Sequence, residues 1–287
     1  MRWQLGRRSD NIEDERSSRP VGRGIKLGGG AILLVAVVAL ITGKDPRQLV
    51  SLLEEAGGTM TVDQGAPQAP GQASDPQADF VSVVLADTED TWGALFTAAG
   101  RRYEPPKLVL FNGDVDSACG FTSAAVGPFY CPGDAKVYLD LSFFRELDAG
   151  FGAPGDFARA YVVAHEIGHH VQNLLGVTEQ VDRMSARAGE EQRNAISVRQ
   201  ELEADCFAGV WANHASKDRQ ILEAGDVEEG LGAAAAIGDD RLQRQSGGTV
   251  QPESWTHGSS AMRVRWFKRG LESGRVDACD TFKASQL

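Results

Sequence analysis

The chain has 287 residues, 42% hydrophobic and 24% charged, enough to build one sizeable globular domain plus accessory segments and unlike a disordered polypeptide. Its formal net charge is −11, and residues 27–287 alone carry 22 basic against 36 acidic side chains. That acidic balance argues against nucleic acid as a partner.

Residues 1–26 differ from the rest: seven Lys/Arg (Arg2, Arg7, Arg8, Arg16, Arg19, Arg23, Lys26) face four acids, a local net of +3. A charge-free run of seventeen residues, Leu27 to Gly43, follows directly. It is at the short end for a membrane-spanning helix, and no A-x-A-like cleavage site comes after it. The pattern predicts a basic cytoplasmic segment at 1–26 and an uncleaved, single-pass transmembrane anchor at 27–43, with the remainder outside the cytoplasmic membrane. A cleaved signal peptide and a buried core helix are the rival readings.

Asp45-Pro46, the apolar residues Leu49 to Leu53 and Gly57-Gly58 predict a short juxtamembrane helix. The Pro/Gly/Gln/Ala-rich stretch to residue 76 reads as a flexible linker, so 44–76 is accessory and the domain covers 77–287. Phe80, Val83, Val84, Trp92, Leu95 and Phe96 recur at helical spacing up to Gly100. Strands are expected at 107–111, 129–130 and 137–141, forming a small antiparallel sheet whose edge, placed at Val137–Leu141, could take up an extended peptide.

The most informative stretch is Ala164-His165-Glu166-Ile167-Gly168-His169-His170, an HExxH core. Residues four apart share a helix face, so His165 and His169 can aim at one metal ion with Glu166 beside it. Asp156 is the expected N-cap of the carrying helix and Gly176 its stop. Two imidazoles leave a catalytic zinc one protein ligand short. Glu201 and Asp205, also i, i+4, on a second helix over about 190–214 fill the gap: Glu201 as third ligand, Asp205 as acceptor for the outer N–H of a ligating ring. Glu203 lies roughly 200° round that helix and is the weaker ligand candidate. His170 and His214 read as packing residues.

Further helices are expected over 227–244 and after Ser259 or Ser260. His257, just before that cap, stands outside any predicted helix interior and is the candidate transition-state donor, ahead of Arg263 and Arg265. Cys119 and Cys131, twelve apart, suit a local bridge, which leaves Cys206 to pair with Cys279. Disulfides would suit an exported chain; two other pairings, or four buried thiols, are the alternatives.

Several stretches resemble the bacterial neutral zinc metallopeptidases: Met1-Arg2-Trp3-Gln4 with Ser9-Asp10-Asn11, Gly127 to Pro132, Val137 to Asp140, Ala164 to Gln172, Glu201 to Gly209, and His257-Gly258-Ser259. The resemblance implies a membrane-anchored, zincin-like α+β peptidase domain with Zn2+ and the HExxH positions at His165, Glu166 and His169. More distantly, HExxH with E-x-x-A-D resembles membrane-associated gluzincins, which supports Glu201 as ligand and Asp205 behind it. The expected function is hydrolysis of peptide or protein substrates with Glu166 as general base. A non-catalytic envelope protein-binding module with a structural zinc is the alternative.

Overall fold

Three residues near the start of the chain, Ile12–Asp14 (β1), form an outer strand of the main sheet. The computed structural model describes residues 1–16, 75–124, 127–247 and 249–287. The anchor expected at 27–43 and the juxtamembrane helix and linker between 44 and 74 lie outside the described residues. Among the described residues no helix is long and apolar enough to cross a membrane.

After β1 comes Pro76–Ala98 (α1), whose start is capped by the Asp75 side chain accepting from the Gln77 amide. Strands Lys107–Phe111 (β2), Asp114–Ser117 (β3), Gly120–Ser123 (β4), Phe129–Cys131 (β5) and Lys136–Asp140 (β6) follow. The main sheet has the order β1-β2-β6-β5, and β3 with β4 makes a separate hairpin. The expected antiparallel sheet is corrected here: β1-β2 and β2-β6 are parallel, and only β5-β6 is antiparallel. The parallel pairs bury both faces of β2 and β6, which is why each reads as an apolar run rather than an alternation. Leu108, Leu110, Val137 and Leu139 face the helical core, while Val109, Phe111 and Tyr138 pack with Val115 of the hairpin. Val137–Leu141 is therefore interior, and the free edge on that side is β5.

The start of the chain, expected as a segment apart from the domain, packs against it over residues 1–16. Residues 1–16 belong to the same compact unit as the domain. Ile12 registers with Leu108, Glu89 of α1 accepts from Ser9 and Asn11, Arg8 pairs with Asp79, and the Trp3 indole donates to Asp156. These side chains look polar and solvated in the sequence because their acidic partners lie 71 to 153 residues away.

Ser142–Arg145 (α2) and a π-turn lead to Asp156–Leu175 (α3), the HExxH helix, which ends at left-handed Gly176 as expected. Its start differs: Gly155 is the cap, and Asp156 accepts from Trp3 rather than from its own helix. Val177–Ser185 (α4) and Glu190–Lys217 (α5) follow. The stretch expected as one helix at 227–244 is two, Asp226–Ala236 (α6) and Asp239–Gln245 (α7), broken at Ile237-Gly238. Ser260–Ser273 (α8) is capped by Ser259, whose hydroxyl accepts from the Met262 amide.

Helices α3, α5 and α8 pack with very small residues at their crossings. A methyl on Gly168 would sit 2.8 Å from the Ala204 carbonyl oxygen, and one on Gly270 would overlap the Cys206 carbonyl. Close approach of α3 to α5 brings both helices' functional side chains into one space. Both cysteine pairs form as expected: Cys119–Cys131 ties the β3–β4 hairpin to β5, and Cys206–Cys279 ties the C-terminal segment to α5.

Candidate metal centre

The i, i+4 spacing on α3 puts His165 and His169 on one face, with ring centroids 4.8 Å apart and nearly perpendicular. One turn of α5 lies opposite. Glu201 Oε2 is 3.1 Å from His165 Nε2, and its Oε1 is 3.4 Å from His169 Nε2. The three candidate ligand atoms lie within 4.8 Å of one another. Atoms bound tetrahedrally at ordinary Zn–N and Zn–O distances are about 3.4 Å apart, so this donor set fits zinc with little rearrangement.

The outer nitrogens of both rings are held. His165 Nδ1–H donates to Asp205 Oδ1 at 2.9 Å, as the second i, i+4 pair suggested. Asp205 is fully buried, and accepts from Arg263 Nε and Nη2, each at 2.9 Å, and from the Tyr161 hydroxyl. A buried carboxylate is tolerable only when paired and hydrogen-bonded in this way. Arg263, the lesser candidate for transition-state donor, thus has its guanidinium engaged by Asp205, and Arg265 is exposed and bonds the chain's last carbonyl.

His169 is oriented differently. Its Nδ1–H donates to Gln172 Oε1 at 2.9 Å, and Gln172 Nε2 donates to the Gln200 carbonyl at 2.7 Å and to Glu203 Oε2 at 3.0 Å. Gln172 and Glu203, the latter expected only as a weaker ligand candidate, therefore complete the support of the second ring. Gln172 is three residues beyond His169 on α3, and that i, i+3 spacing was the available signal. Nothing in the sequence marked Glu203, because its partner lies on another helix.

Charge follows geometry. Burial alone would lower the His165 pKa, yet its bonds to Asp205 and Glu201 outweigh it and push the ring up to about 10. For His169 the same burial is outweighed by Glu201, and its pKa is raised. Burial would raise Glu201, but the two imidazoles hold it well below the ordinary carboxylate range. Both imidazoles and the Glu201 carboxylate thus favour their charged forms in one another's presence, and a metal would compete with protons for the same nitrogens.

Glu166 is buried on the same helix, makes no hydrogen bond to another described residue, and lines a cleft of about 460 Å³ with His165, His169, Glu201 and His257. His257 is brought in by the loop before α8. Asp239 Oδ2 accepts from the Thr256, His257 and Gly258 amides at 2.7 to 2.9 Å, and Asp239 Oδ1 is 3.3 Å from His257 Nδ1. That contact outweighs burial and raises the His257 pKa. The remaining histidines are structural, as expected: His170 bonds Tyr130 and the Glu104 carbonyl, and His214 bonds Asp218 and the Gly274 carbonyl.

The family model described as "Putative neutral zinc metallopeptidase" matches residues 1–282. The chain is 47% identical over 291 residues to the uncharacterized protein YpfJ of Escherichia coli K12, covering 99% of this chain and all of that one. It is 44% identical over 218 residues to the uncharacterized proteins Mb2605 of Mycobacterium bovis and Rv2575 of Mycobacterium tuberculosis, covering 72% of this chain and 73% of each. No solved structure gives a significant match. Zinc is the metal this family implies, and the residues at the cleft suit it. On its near full-length match, the chain belongs to the neutral zinc metallopeptidase family.

Proposed function

We propose that the protein hydrolyses peptide bonds at the His165–His169–Glu201 centre. The observation that carries this reading is the open side of the centre: three protein ligands converge, both rings are fixed from behind, and a carboxylate free of hydrogen bonds to the described residues faces the same cleft. Structural zinc sites instead close with four protein ligands. That difference favours catalysis over a purely structural metal.

His165 Nε2, His169 Nε2 and Glu201 would hold the metal, which when bound supplies Lewis-acid activation of water and of the substrate carbonyl. Glu166 takes the water's proton on its carboxylate as the carbonyl carbon is attacked, then delivers it to the leaving amine nitrogen. His257, whose pKa is raised by Asp239, donates a hydrogen bond to the oxygen that gains charge. Strand β5 borders the cleft through Phe129 and Tyr130 and is an edge of the main sheet among the described residues, so an extended substrate backbone can add to it. Phe143, Phe151, Val162, Ile237 and Leu242 line the rest, a surface suited to apolar substrate side chains.

The two bridged cysteine pairs support an oxidising, extracytoplasmic setting for the domain.

The direct test is Glu166→Gln in the zinc-loaded protein against a degenerate peptide mixture read by mass spectrometry. Zinc content should stay at the parent level while cleavage falls at least 100-fold, the low end of what a positioned base contributes. Unchanged turnover would remove Glu166 from the mechanism. No cleavage by the zinc-loaded parent on any peptide would favour the non-catalytic reading.

A further inference from the structure

The chain leaves the described fold at residue 16 and re-enters it at residue 75, and these two ends meet. Arg16 pairs with Asp75, the cap of α1, and with Asp14 of β1. Upstream, β1 is hydrogen-bonded into the sheet beside β2, Lys136 of β6 pairs with Glu13, and the Arg2 amide donates to the Ile221 carbonyl at 2.8 Å. The amino-terminal segment is thus built into the sheet and helices that also carry the candidate metal centre.

This has a topological consequence. A segment whose two ends are parts of one folded unit must cross any membrane an even number of times. Between residues 17 and 74 there is one apolar run, the seventeen residues from 27 to 43. Crossing a hydrocarbon core takes about 20 residues per helix, so a run of this length cannot cross twice. Residues 44–74 supply no second run: they hold Lys44, Asp45, Arg47, Glu54, Glu55 and Asp63 among Pro, Gly and Gln. One crossing is odd and excluded by the fold; two are excluded by the sequence.

Part of the basic flank is taken up by the fold rather than left as an orientation signal. Four of its seven cations, Arg2, Arg7, Arg8 and Arg16, are paired with Glu223, Glu89 and Asp90, Asp79, and Asp75 respectively, beyond the segment. Cations consumed in that way are tertiary contacts, whereas the positive-inside bias acts through Lys and Arg left in a loop.

We infer that residues 1–16 and the zinc-peptidase domain lie in the same compartment, so that the chain between them does not cross a membrane once as a single-pass anchor. This holds whether or not the centre is catalytic.

Sidedness tests it in spheroplasts producing the full chain. Leu5→Cys and Lys268→Cys, both at exposed positions, are made separately and treated with a membrane-impermeant maleimide before and after lysis. The inference expects identical behaviour: both sites label in intact spheroplasts, or both only after lysis. One site labelling in intact spheroplasts and the other only after lysis overturns it. In the same membranes, Arg16→Cys with Asp75→Cys should be joined within one chain by a short bismaleimide. Two individually reactive thiols that never cross-link would overturn the inference independently of the labelling.

Discussion

Asp205 Oδ1 accepts the outer nitrogen of His165 at 2.9 Å while both oxygens of the same carboxylate are gripped by Arg263. The candidate metal ligand is therefore aimed by a buried ion pair contributed by α5 and α8. Asp205→Asn removes the charge that matches Arg263 and weakens the support of His165. Breaking a buried pair costs about 3–5 kcal/mol, and losing the support of a ligating histidine typically lowers metal affinity 10–100-fold. Thermal unfolding of the zinc-free protein and competitive chelation should show the two losses separately.

Gln172 does the equivalent service for His169, but as a neutral group. Gln172→Leu leaves Glu203 Oε2, the Gln200 carbonyl and His169 Nδ1 without this partner, so zinc should bind about 10–100-fold more weakly. Glu203→Gln keeps an acceptor oxygen for Gln172 and should cost much less. If chelator titration finds the two variants equal to the parent, the Gln172 bridge has no part in orienting the ring.

The protonation of the centre predicts how pH acts on the zinc-free protein. His165, pushed up to about 10, and His169, also raised, stabilise the fold fully below the unfolded value of 6.5 and lose that contribution as pH rises through their folded values. Glu201 has its pKa depressed from 4.5, so its contribution is present above 4.5 and is lost as pH falls through the depressed value. Zinc-free protein should be most stable between pH 4.5 and 6.5 and weaken toward pH 10. Zinc must displace ring protons, the one on His165 above all, so binding near neutrality should release protons and tighten as pH rises. Calorimetry in buffers of different ionisation enthalpy measures that release.

His257 predicts a kinetic signature. Its proton is held by Asp239, so Asp239→Asn removes the main cause of the raised pKa and should move the alkaline limb of kcat to lower pH. His257→Gln should lower kcat about 100- to 1000-fold with little change in KM, as for loss of one transition-state donor. A rise in KM at constant kcat would make His257 a substrate-binding residue instead.

Much of the centre was legible because helical spacing is local. His165 and His169 share a face on any α-helix, and Glu201 with Asp205 does so on another. The cysteine pairs followed from spacing and elimination. The sheet was less legible: β2 and β6 are short apolar runs, and such runs look alike whether their neighbours are parallel or antiparallel. Val137–Leu141 looked like an edge for that reason, while β6 is interior because β2 and β5 flank it, and β2 in turn is covered by β1, a strand hidden in a segment of apparently free charge.

The amino-acid sequence by itself determined the HExxH helix, the second acidic helix and the donor set they offer, because each depends on residue type and short-range period. Only the tertiary structure decided that Gln172 and Glu203 stand behind His169, that Arg263 pairs with Asp205, and that residues 1–16 complete the sheet beside the domain. Those relationships join side chains tens to hundreds of positions apart, and no local periodicity encodes which of many buried polar groups will satisfy one another once the helices close together.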